Sequence, residues 1–319
     1  MSLPDAADPI DPARLRAAIP DGVRFGTSSW TYPGWKGLVY RRDYPATGAG
    51  AEMLAEYARY PLFGTVGIDS SFYTPLVEKT LRSYAAALPE GFPCLSKVWD
   101  RLTVHTFAKA REKVRAGQPN PDFLNPDLFL ESVWGPLETY FAGHTGPLIF
   151  EFQAIARQDH MGPPEFAERL DRFFARLPRQ GRYSVEVRNP EFLTPAYFAV
   201  LREHDVAHVL SSWTRMPSIG MQLDLSGSVT AGFLVVRALL RPGRYYADAV
   251  DAFQPYDRIR DPNPELRHDL VRVVETAERL RIPAYILVNN RAEGSAPRTI
   301  AAVAQLLSDR RSLSASPPA

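Results

Sequence analysis

The chain has one cysteine among its 319 residues, which excludes an internal disulfide and any zinc or iron–sulfur site built from several cysteines. Cys94 lies inside an apolar run, where we expect a small buried hydrophobic residue rather than a nucleophile. Histidine is also scarce, since there are six, and only His105 closely follows the end of a predicted strand. With so few nitrogen and sulfur ligands near one another, we predict no metal site.

Neither sign of charge is in clear excess. The 37 basic and 36 acidic residues give a net charge of +1, so no global field points to nucleic acid or to a membrane. No apolar stretch approaches membrane-spanning length. The N-terminal residues 1–8 lack the basic start and apolar core of a signal peptide. We therefore expect a soluble, cytoplasmic protein with no membrane partner.

Three sequence signatures of catalysis or nucleotide binding are missing as well. The sequence contains no phosphate loop, no dinucleotide-binding glycine fingerprint and no Gly-x-Ser-x-Gly elbow. The cofactor, if one is used, is therefore unknown at this stage.

What the sequence does contain is a set of eight short apolar runs, each ending abruptly in polar or charged residues. Buried parallel strands read as continuous apolar runs, and a barrel of such strands carries its site at their C-terminal ends. The runs are Val23–Thr27, Thr65–Ile68, Cys94–Ser96, Leu148–Phe150, Tyr183–Val185, His208–Leu210, Phe233–Val236 and Tyr285–Val288.

Helical spacing of apolar residues falls between these runs. Two of the helices begin with a capping residue followed by proline, at Thr194–Pro195 and Asn263–Pro264. Strands that alternate with helices indicate parallel βαβ units, and eight units favour a closed ring. We therefore predict an α/β fold, a single (β/α)8 barrel of the TIM type. The predicted helices cover 51–60, 80–88, 166–177, 195–204, 264–281 and 299–307.

The composition divides the chain into one barrel and two ends. We place the barrel at 23–308, after a loosely ordered lead of residues 1–22 and before a disordered tail of residues 309–319. Two connections are long, from Trp99 to Phe141 after the third strand and from Ala238 to Asn263 after the seventh. Both follow strands, so we expect them to form walls or lids of a pocket.

Several motifs together resemble one family. The segment Gly26–Trp30, followed by Trp35–Gly37, resembles the opening of the domain of unknown function 72 family, also called YecE-like. Its second-strand motif Glu-Ile-Asn-Ser-Thr-Phe-Tyr is matched by Gly67–Tyr73, and the similarity extends from about Arg24 to Leu307. Other matching positions are Lys97, Thr103, Glu186, Arg188, Arg237, Asn289 and Asn290.

The resemblance implies a barrel related to the triosephosphate isomerase type and implies little about the reaction. The chain departs from the family pattern at several positions. Gly67 stands where the family has Glu, and Asp69 stands where it has Asn. His105 comes one residue later than the family's histidine, and 153–156 replaces a Gln-x-Pro-Pro motif.

Cations from four different strands would meet at one end of a closed barrel. They are Lys97, Arg188, Arg237 and Arg291. Glu186 lies two residues before Arg188, so the two side chains share a face and can pair. The remaining positive charge favours a phosphate, sulfate or carboxylate ligand. The alternative is that each arginine forms salt bridges that only close the barrel end.

Amide and aromatic side chains would complete this ligand site. Asn289 and Asn290 follow the eighth strand and would orient the anion. Tyr73 and Trp213 follow the second and sixth strands, where their rings could stack on a sugar or a base.

Acidic side chains supply the candidates for proton transfer. Asp69, Glu151 and Glu186 all follow strands, and a pair separated by about 5–9 Å could support glycoside hydrolysis. We take Asp69 and Glu186 as the best acid/base candidates and His105 as a third.

Three functions fit these residues. The first is a barrel that binds a small anionic ligand, phosphorylated or carboxylated, and it predicts that Arg237→Ala abolishes binding while leaving folding intact. The second is a nucleic-acid-binding or processing barrel. The third is a catalytically inert binding or regulatory module whose salt bridges leave no pocket. A fold that serves so many reactions does not select among them, nor does it decide whether the chain is an enzyme.

Overall fold

The computed structural model describes residues 11–45, 47–107, 114–156, 161–244 and 246–315. All eight predicted strands are present, each within a few residues of its predicted bounds. They are β1 (Val23–Thr27), β2 (Val66–Ile68), β3 (Cys94–Ser96), β4 (Leu148–Phe152), β5 (Tyr183–Val187), β6 (Ala207–Ser212), β7 (Leu234–Ala238) and β8 (Ala284–Val288).

The strands pair in parallel, as the βαβ pattern predicts. Six form a sheet in the order β1-β8-β7-β6-β5-β4, and β2 pairs with β3. The two groups meet through isolated hydrogen bonds. Val98 N–H donates to the Ile149 carbonyl at 2.9 Å, Gly146 N–H donates to the Cys94 carbonyl at 2.9 Å, and Gly64 N–H donates to the Phe25 carbonyl at 2.8 Å. The chain therefore has the predicted α/β fold of TIM type, although within the described residues continuous ladders do not close the ring.

The approach of β1 to β2 depends on a glycine. A Cβ atom built on Gly26 would lie 2.0 Å from the carbonyl oxygen of Thr65, which is far inside contact distance. The Tyr57 hydroxyl reinforces the same junction, because it accepts a hydrogen bond from Thr27 N–H at 2.9 Å and donates to the Thr65 carbonyl at 3.1 Å. Only glycine allows this spacing without displacing the backbone.

Helices follow most strands, and the two predicted capping residues act as expected. The Thr194 hydroxyl accepts from Tyr197 N–H at 3.2 Å, and the Asn263 side chain accepts from Leu266 N–H at 3.2 Å. The helices are α1 (Pro12–Arg16), α2 (Gly50–Tyr57), α3 (Glu78–Ala87), α4 (Pro126–Phe129), α5 (Gly135–Tyr140), α6 (Pro163–Phe174), α7 (Pro195–Glu203), α8 (Ile219–Leu223), α9 (Tyr246–Phe253), α10 (Pro264–Leu280) and α11 (Ala296–Ala315), with a π-helical segment at Leu130–Trp134.

Side chains from alternate strand positions fill the space inside the strands. One buried apolar cluster comprises Leu95, Ile149, Ala207, Val209, Phe233, Val235, Tyr285 and Leu287. Strand residues alternate between faces, so positions two residues further along point to the same interior. Those positions include Lys97, Glu151, Ser211, Arg237 and Asn289. The apolar layer thus forms a floor, and a polar layer lies above it at the C-terminal ends.

Helices extend into both of the predicted end segments. Helix α1 lies inside the predicted loose lead, where the Asp11 side chain caps it by accepting from Arg14 N–H and Leu15 is buried. Helix α11 continues to Ala315, past the predicted boundary at residue 309. Ion pairs from Arg310 and Arg311 to Glu275 and Glu278 on α10 hold this extension. Composition alone does not reveal such long-range pairs; residues 1–10 and 316–319 lie outside the described residues.

None of the described helices has the length and apolar character needed to cross a lipid bilayer.

Candidate functional site

An open pocket of about 800 Å³ lies at the C-terminal ends of the strands. The pocket differs from one expectation of the third function above, namely that salt bridges would fill this end of the strands. The loop after β3 and the start of the loop after β7 both contribute walls, as predicted for the two long connections. The lining residues are Asp69, Phe72, Tyr73, Lys97, Trp99, Asp100, Arg101, Val104, Thr106, Phe107, Glu151, Gln153, Ala154, Arg188, Trp213, Arg237, Leu239 and Arg291.

Arg237 of β7 is the centre of this site, and its side chain is only 2% exposed. Its Nη1 donates to the carboxylates of both Glu151 and Glu186. Its Nη2 lies 3.1 Å and 3.3 Å from Oδ1 and Oδ2 of Asp69, which follows β2. One guanidinium therefore binds carboxylates from three strands.

Two further cations complete the arrangement. Lys97 Nζ lies 2.9 Å from Glu151 Oε2, and Arg188 Nη2 lies 3.1 Å from the same oxygen. Arg188 Nη2 also lies 2.7 Å from Glu186 Oε1, which confirms the predicted pair. We call Asp69, Lys97, Glu151, Glu186, Arg188 and Arg237 the ion network. Its three positive and three negative charges cancel.

Neighbouring charges keep two members of the network, Glu151 and Arg237, ionised. Burial alone would raise the pKa of Glu151, but the charges of Arg188, Lys97 and Arg237 outweigh it and hold the pKa well below the usual value. Burial would lower the pKa of Arg237, and the three carboxylates instead raise it well above its usual value. Glu151 is therefore an anion and Arg237 a cation at neutral pH.

Aromatic rings cover two of the cations. The Arg188 guanidinium carbon lies 3.8 Å from the ring centroid of Trp213, and Lys97 Nζ lies 3.9 Å from that of Phe72. Arg188 Nε and Nη1 are buried and have no hydrogen-bond partner among the described residues. Leaving such donors unsatisfied costs about 1–3 kcal/mol each. Trp213 packs against the Arg188 guanidinium at the pocket wall. This contact differs from the ligand-stacking role that the sequence predicts for Trp213.

The three carboxylates differ sharply in their access to the pocket. The Asp69 side chain is 29% exposed, whereas those of Glu151 and Glu186 are 5% and 0% exposed. Glu186, predicted as an acid/base residue, lies beneath the pocket and does not line it. Glycoside hydrolysis needs two carboxylates beside the scissile bond, and of the three network carboxylates only Asp69 is appreciably exposed.

Three other predicted site residues lie away from the pocket lining. His105 packs edge-on against Phe123, and its Nδ1 lies 3.3 Å from the Thr106 hydroxyl. The Asn289 side chain accepts from Arg291 N–H at 3.0 Å. The Asn290 Oδ1 accepts from Trp35 Nε1 at 3.3 Å and from Ala296 N–H at 2.8 Å. Both asparagines therefore shape the loop after β8.

The same loop contains an acidic residue that faces away from the pocket. Glu293 is fully buried, lies 2.9 Å from Arg267 Nε, and accepts from Asn263 N–H. These contacts join the loop after β8 to the start of α10. The negative charge of Glu293 is therefore offset by Arg267.

Sequence reasoning overlooked several lining residues. Gln153 lies two residues after Glu151 and donates to its Oε1 at 2.6 Å, a placement that strand alternation could have indicated. Glu151 also lines the pocket, although the sequence analysis identifies it only as a carboxylate that follows a strand. Arg101 and Phe107 come from irregular segments of the loop after β3, which carry no periodic signal. Within the described residues, no group of three or more His, Cys, Asp or Glu side chains is placed to hold a metal ion.

Comparison with known proteins gives the following matches. The model of a family described as "Protein of unknown function DUF72" matches residues 24–319. A DUF72 family protein from Enterococcus faecalis V583 has a similar structure, with a TM-score of 0.59 and 17% identity over 90% of this chain and 95% of that one. A DUF72 family protein from Thermotoga maritima MSB8 is also similar, with a TM-score of 0.59 and 18% identity over 90% of this chain and 99% of that one. At these identities the structures support the fold alone, and no curated protein matches the chain.

Proposed function

Because this chain belongs to the DUF72 family, whose description states no activity, we propose a function from the chain's own pocket. The protein binds a small anionic ligand, phosphorylated or carboxylated, at the C-terminal mouth of the barrel. Asp69 is the carboxylate that can exchange a proton with that ligand, because it is the network carboxylate most exposed to the pocket.

One observation carries this proposal. Eight charged side chains line the pocket, and five of them are cations. The cations are Lys97, Arg101, Arg188, Arg237 and Arg291, and the anions are Asp69, Asp100 and Glu151. Positive groups lining a partly enclosed pocket attract an anion from solution, and arginine matches phosphate and carboxylate with paired donors.

The ion network itself contributes no net charge, so the anion is bound nearer the pocket rim. Arg101 uses Nε to bind Asp122 at 2.5 Å, keeps 27% of its side chain exposed and lines the pocket. Arg291 lines the same pocket from the loop after β8. These two arginines are the best anchors for the anionic group.

A nucleic-acid partner is less well supported. Binding a duplex requires an extended basic surface. Several outer arginines are instead paired with glutamates, as in Arg169–Glu165, Arg172–Glu168 and Arg310–Glu275. A pocket of this size suits a small molecule better.

The test is a thermal-unfolding series with inorganic phosphate, glucose 6-phosphate, gluconate, glucose and a short oligonucleotide. A ligand at about 100 times its dissociation constant stabilises the fold by about 2.7 kcal/mol. We expect the anionic probes to raise the melting temperature, and we expect Arg291→Ala to weaken that shift. Arg169→Ala, which removes an exposed arginine on α6, is the matched control and should behave like the wild type.

The outcomes separate the candidates. If glucose shifts the melting temperature as much as glucose 6-phosphate does, the anionic group plays no part and the proposal is wrong. If only the oligonucleotide raises the melting temperature, the function of a nucleic-acid-binding barrel replaces the proposal of a small anionic ligand.

A further inference from the structure

Asp69 gives the pocket a second kind of binding group. We infer that its carboxylate binds hydroxyl groups of the ligand, so that the ligand is a polyhydroxylated anion such as a sugar phosphate or a sugar acid. The anionic part of this inference rests on the proposed function, whereas the hydroxyl subsite rests on Asp69 alone.

The contacts of Asp69 leave room for a ligand. Arg237 reaches it with a single nitrogen, Nη2, at 3.1 Å and 3.3 Å from the two oxygens. A carboxylate offers about four lone-pair positions, so both oxygens keep acceptor capacity. Because the side chain is 29% exposed and lines the pocket, a bound molecule can use that capacity.

The other network carboxylates do not share this property. Glu151 receives donors from Lys97, Arg188, Arg237 and Gln153, and its side chain is almost fully buried. Arg237 also fixes the Asp69 carboxylate at the pocket wall, so little side-chain freedom is lost when a ligand binds.

Charge decides which donor group Asp69 receives. Its negative charge is already offset by Arg237, and the pocket lining as a whole carries five cations against three anions. A ligand ammonium group would meet this positive surplus and be repelled. A hydroxyl group donates a hydrogen bond without adding charge, and a hydrogen bond to a charged acceptor is stronger than one between neutral groups.

The rest of the lining suits a sugar-like molecule. Aromatic side chains from three different loops, Tyr73, Trp99 and Trp213, line the pocket together with its charged groups. Apolar ring faces combined with a few directed polar groups are typical of sites that orient a small polar ligand.

Isothermal titration of wild type and Asp69→Asn with three probes tests the inference. The probes are glucose 6-phosphate, inorganic phosphate and glucose. Asp43→Asn, which changes an exposed aspartate paired with Lys36 outside the pocket, is the matched control. Circular dichroism of each variant checks that the fold is retained.

We expect Asp69→Asn to affect the affinities for the two anions differently. Its affinity for glucose 6-phosphate falls about tenfold or more, because hydrogen bonds to a charged acceptor are lost. Its affinity for inorganic phosphate stays the same or rises, because a negative charge has left the pocket. Asp43→Asn should match the wild type for all three probes.

Two results would overturn the inference, and they differ from failure of the proposed function. If Asp69→Asn binds glucose 6-phosphate as tightly as the wild type, or more tightly, Asp69 contacts no hydroxyl group. If wild type binds glucose 6-phosphate no better than inorganic phosphate, the ligand is not polyhydroxylated. If instead glucose binds, loses affinity in Asp69→Asn, and phosphate does not bind, the hydroxyl subsite stands and the anion site fails.

Discussion

Arg237 determines how the site is built at the scale of single residues. It joins carboxylates from β2, β4 and β5 and is almost inaccessible to solvent. A residue with these contacts positions the groups around it and offers little surface to a ligand. Burial of its ion pairs argues against the expectation that Arg237→Ala would leave folding intact.

We predict that Arg237→Ala lowers the free energy of unfolding by about 3–5 kcal/mol, because it leaves buried carboxylates without their partner. Urea denaturation followed by circular dichroism measures this loss. Arg169→Ala is the control, since its exposed pair with Glu165 contributes less than about 1 kcal/mol. A loss for Arg237→Ala as small as that of the control would show that the ion network is not structural.

His208 of β6 gives a second residue-scale prediction, on pH. Burial lowers its pKa from 6.5 to about 4, so the folded protein keeps it neutral where the unfolded chain protonates it. The unfolded state then binds more protons, and stability falls as the pH drops from 6.5 towards 4. Between pH 7 and pH 5 this amounts to about 2 kcal/mol.

We expect His208→Gln to reduce the loss of unfolding free energy between pH 7 and pH 5 by about that amount. Urea titrations at the two pH values measure it. His268→Gln, which removes an exposed histidine from α10, serves as the control. An unchanged pH dependence in His208→Gln would mean that His208 is protonated in the folded state.

How well the sequence predicts the site depends on what each residue's role requires. Strand alternation places Lys97, Asp69 and Arg237 on the interior face, and the structure brings them together. Alternation shows which face of a strand a side chain lies on but not how deeply the side chain is buried. It therefore could not distinguish partly exposed Asp69 from buried Glu186. His105 and Asn290 lie in irregular loops, where the side-chain direction depends on tertiary contacts that no local pattern reports.

At the scale of secondary-structure elements, the junction of β1 and β2 depends on a close backbone approach. These strands lack a full ladder, and a Cβ atom on Gly26 would lie 2.0 Å from the Thr65 carbonyl oxygen. We predict that Gly26→Ala destabilises the protein by about 1–3 kcal/mol or more, since the new methyl group meets the Thr65 carbonyl. Thermal unfolding measures the change.

Gly50→Ala is the matched control for this substitution. Gly50 begins α2, and a Cβ atom there would meet nothing within 4 Å. Alanine should therefore be neutral there or stabilise the helix by up to about 1 kcal/mol. Equal melting temperatures for Gly26→Ala and Gly50→Ala would show that β1 and β2 can separate without cost.

The elements found from sequence are those with long or distinctive patterns. All eight strands and the longer helices, such as α6, α7 and α10, carry apolar periodicity or clear caps. The sequence does not predict α8, because five residues are too few for a helical period to stand out. It does not predict α9 either, although that helix is as long as the predicted α2. The α11 extension depends on pairing with α10, which is non-local.

At the scale of the whole molecule, charge is balanced at two levels. The chain carries a net charge of +1, and the ion network is neutral. The cationic character of the pocket therefore comes from which charged residues line it, with Glu186 lying beneath. This distribution favours a small ligand that enters the pocket over a large polyanion bound across the surface.

A crystal structure of the protein grown with glucose 6-phosphate tests this central claim most directly. The predicted result is density for the sugar phosphate in the pocket, with a sugar hydroxyl within hydrogen-bond distance of Asp69 and the phosphate against Arg101 or Arg291. A sugar phosphate bound outside this pocket, or one whose phosphate lies against Asp69, would contradict it.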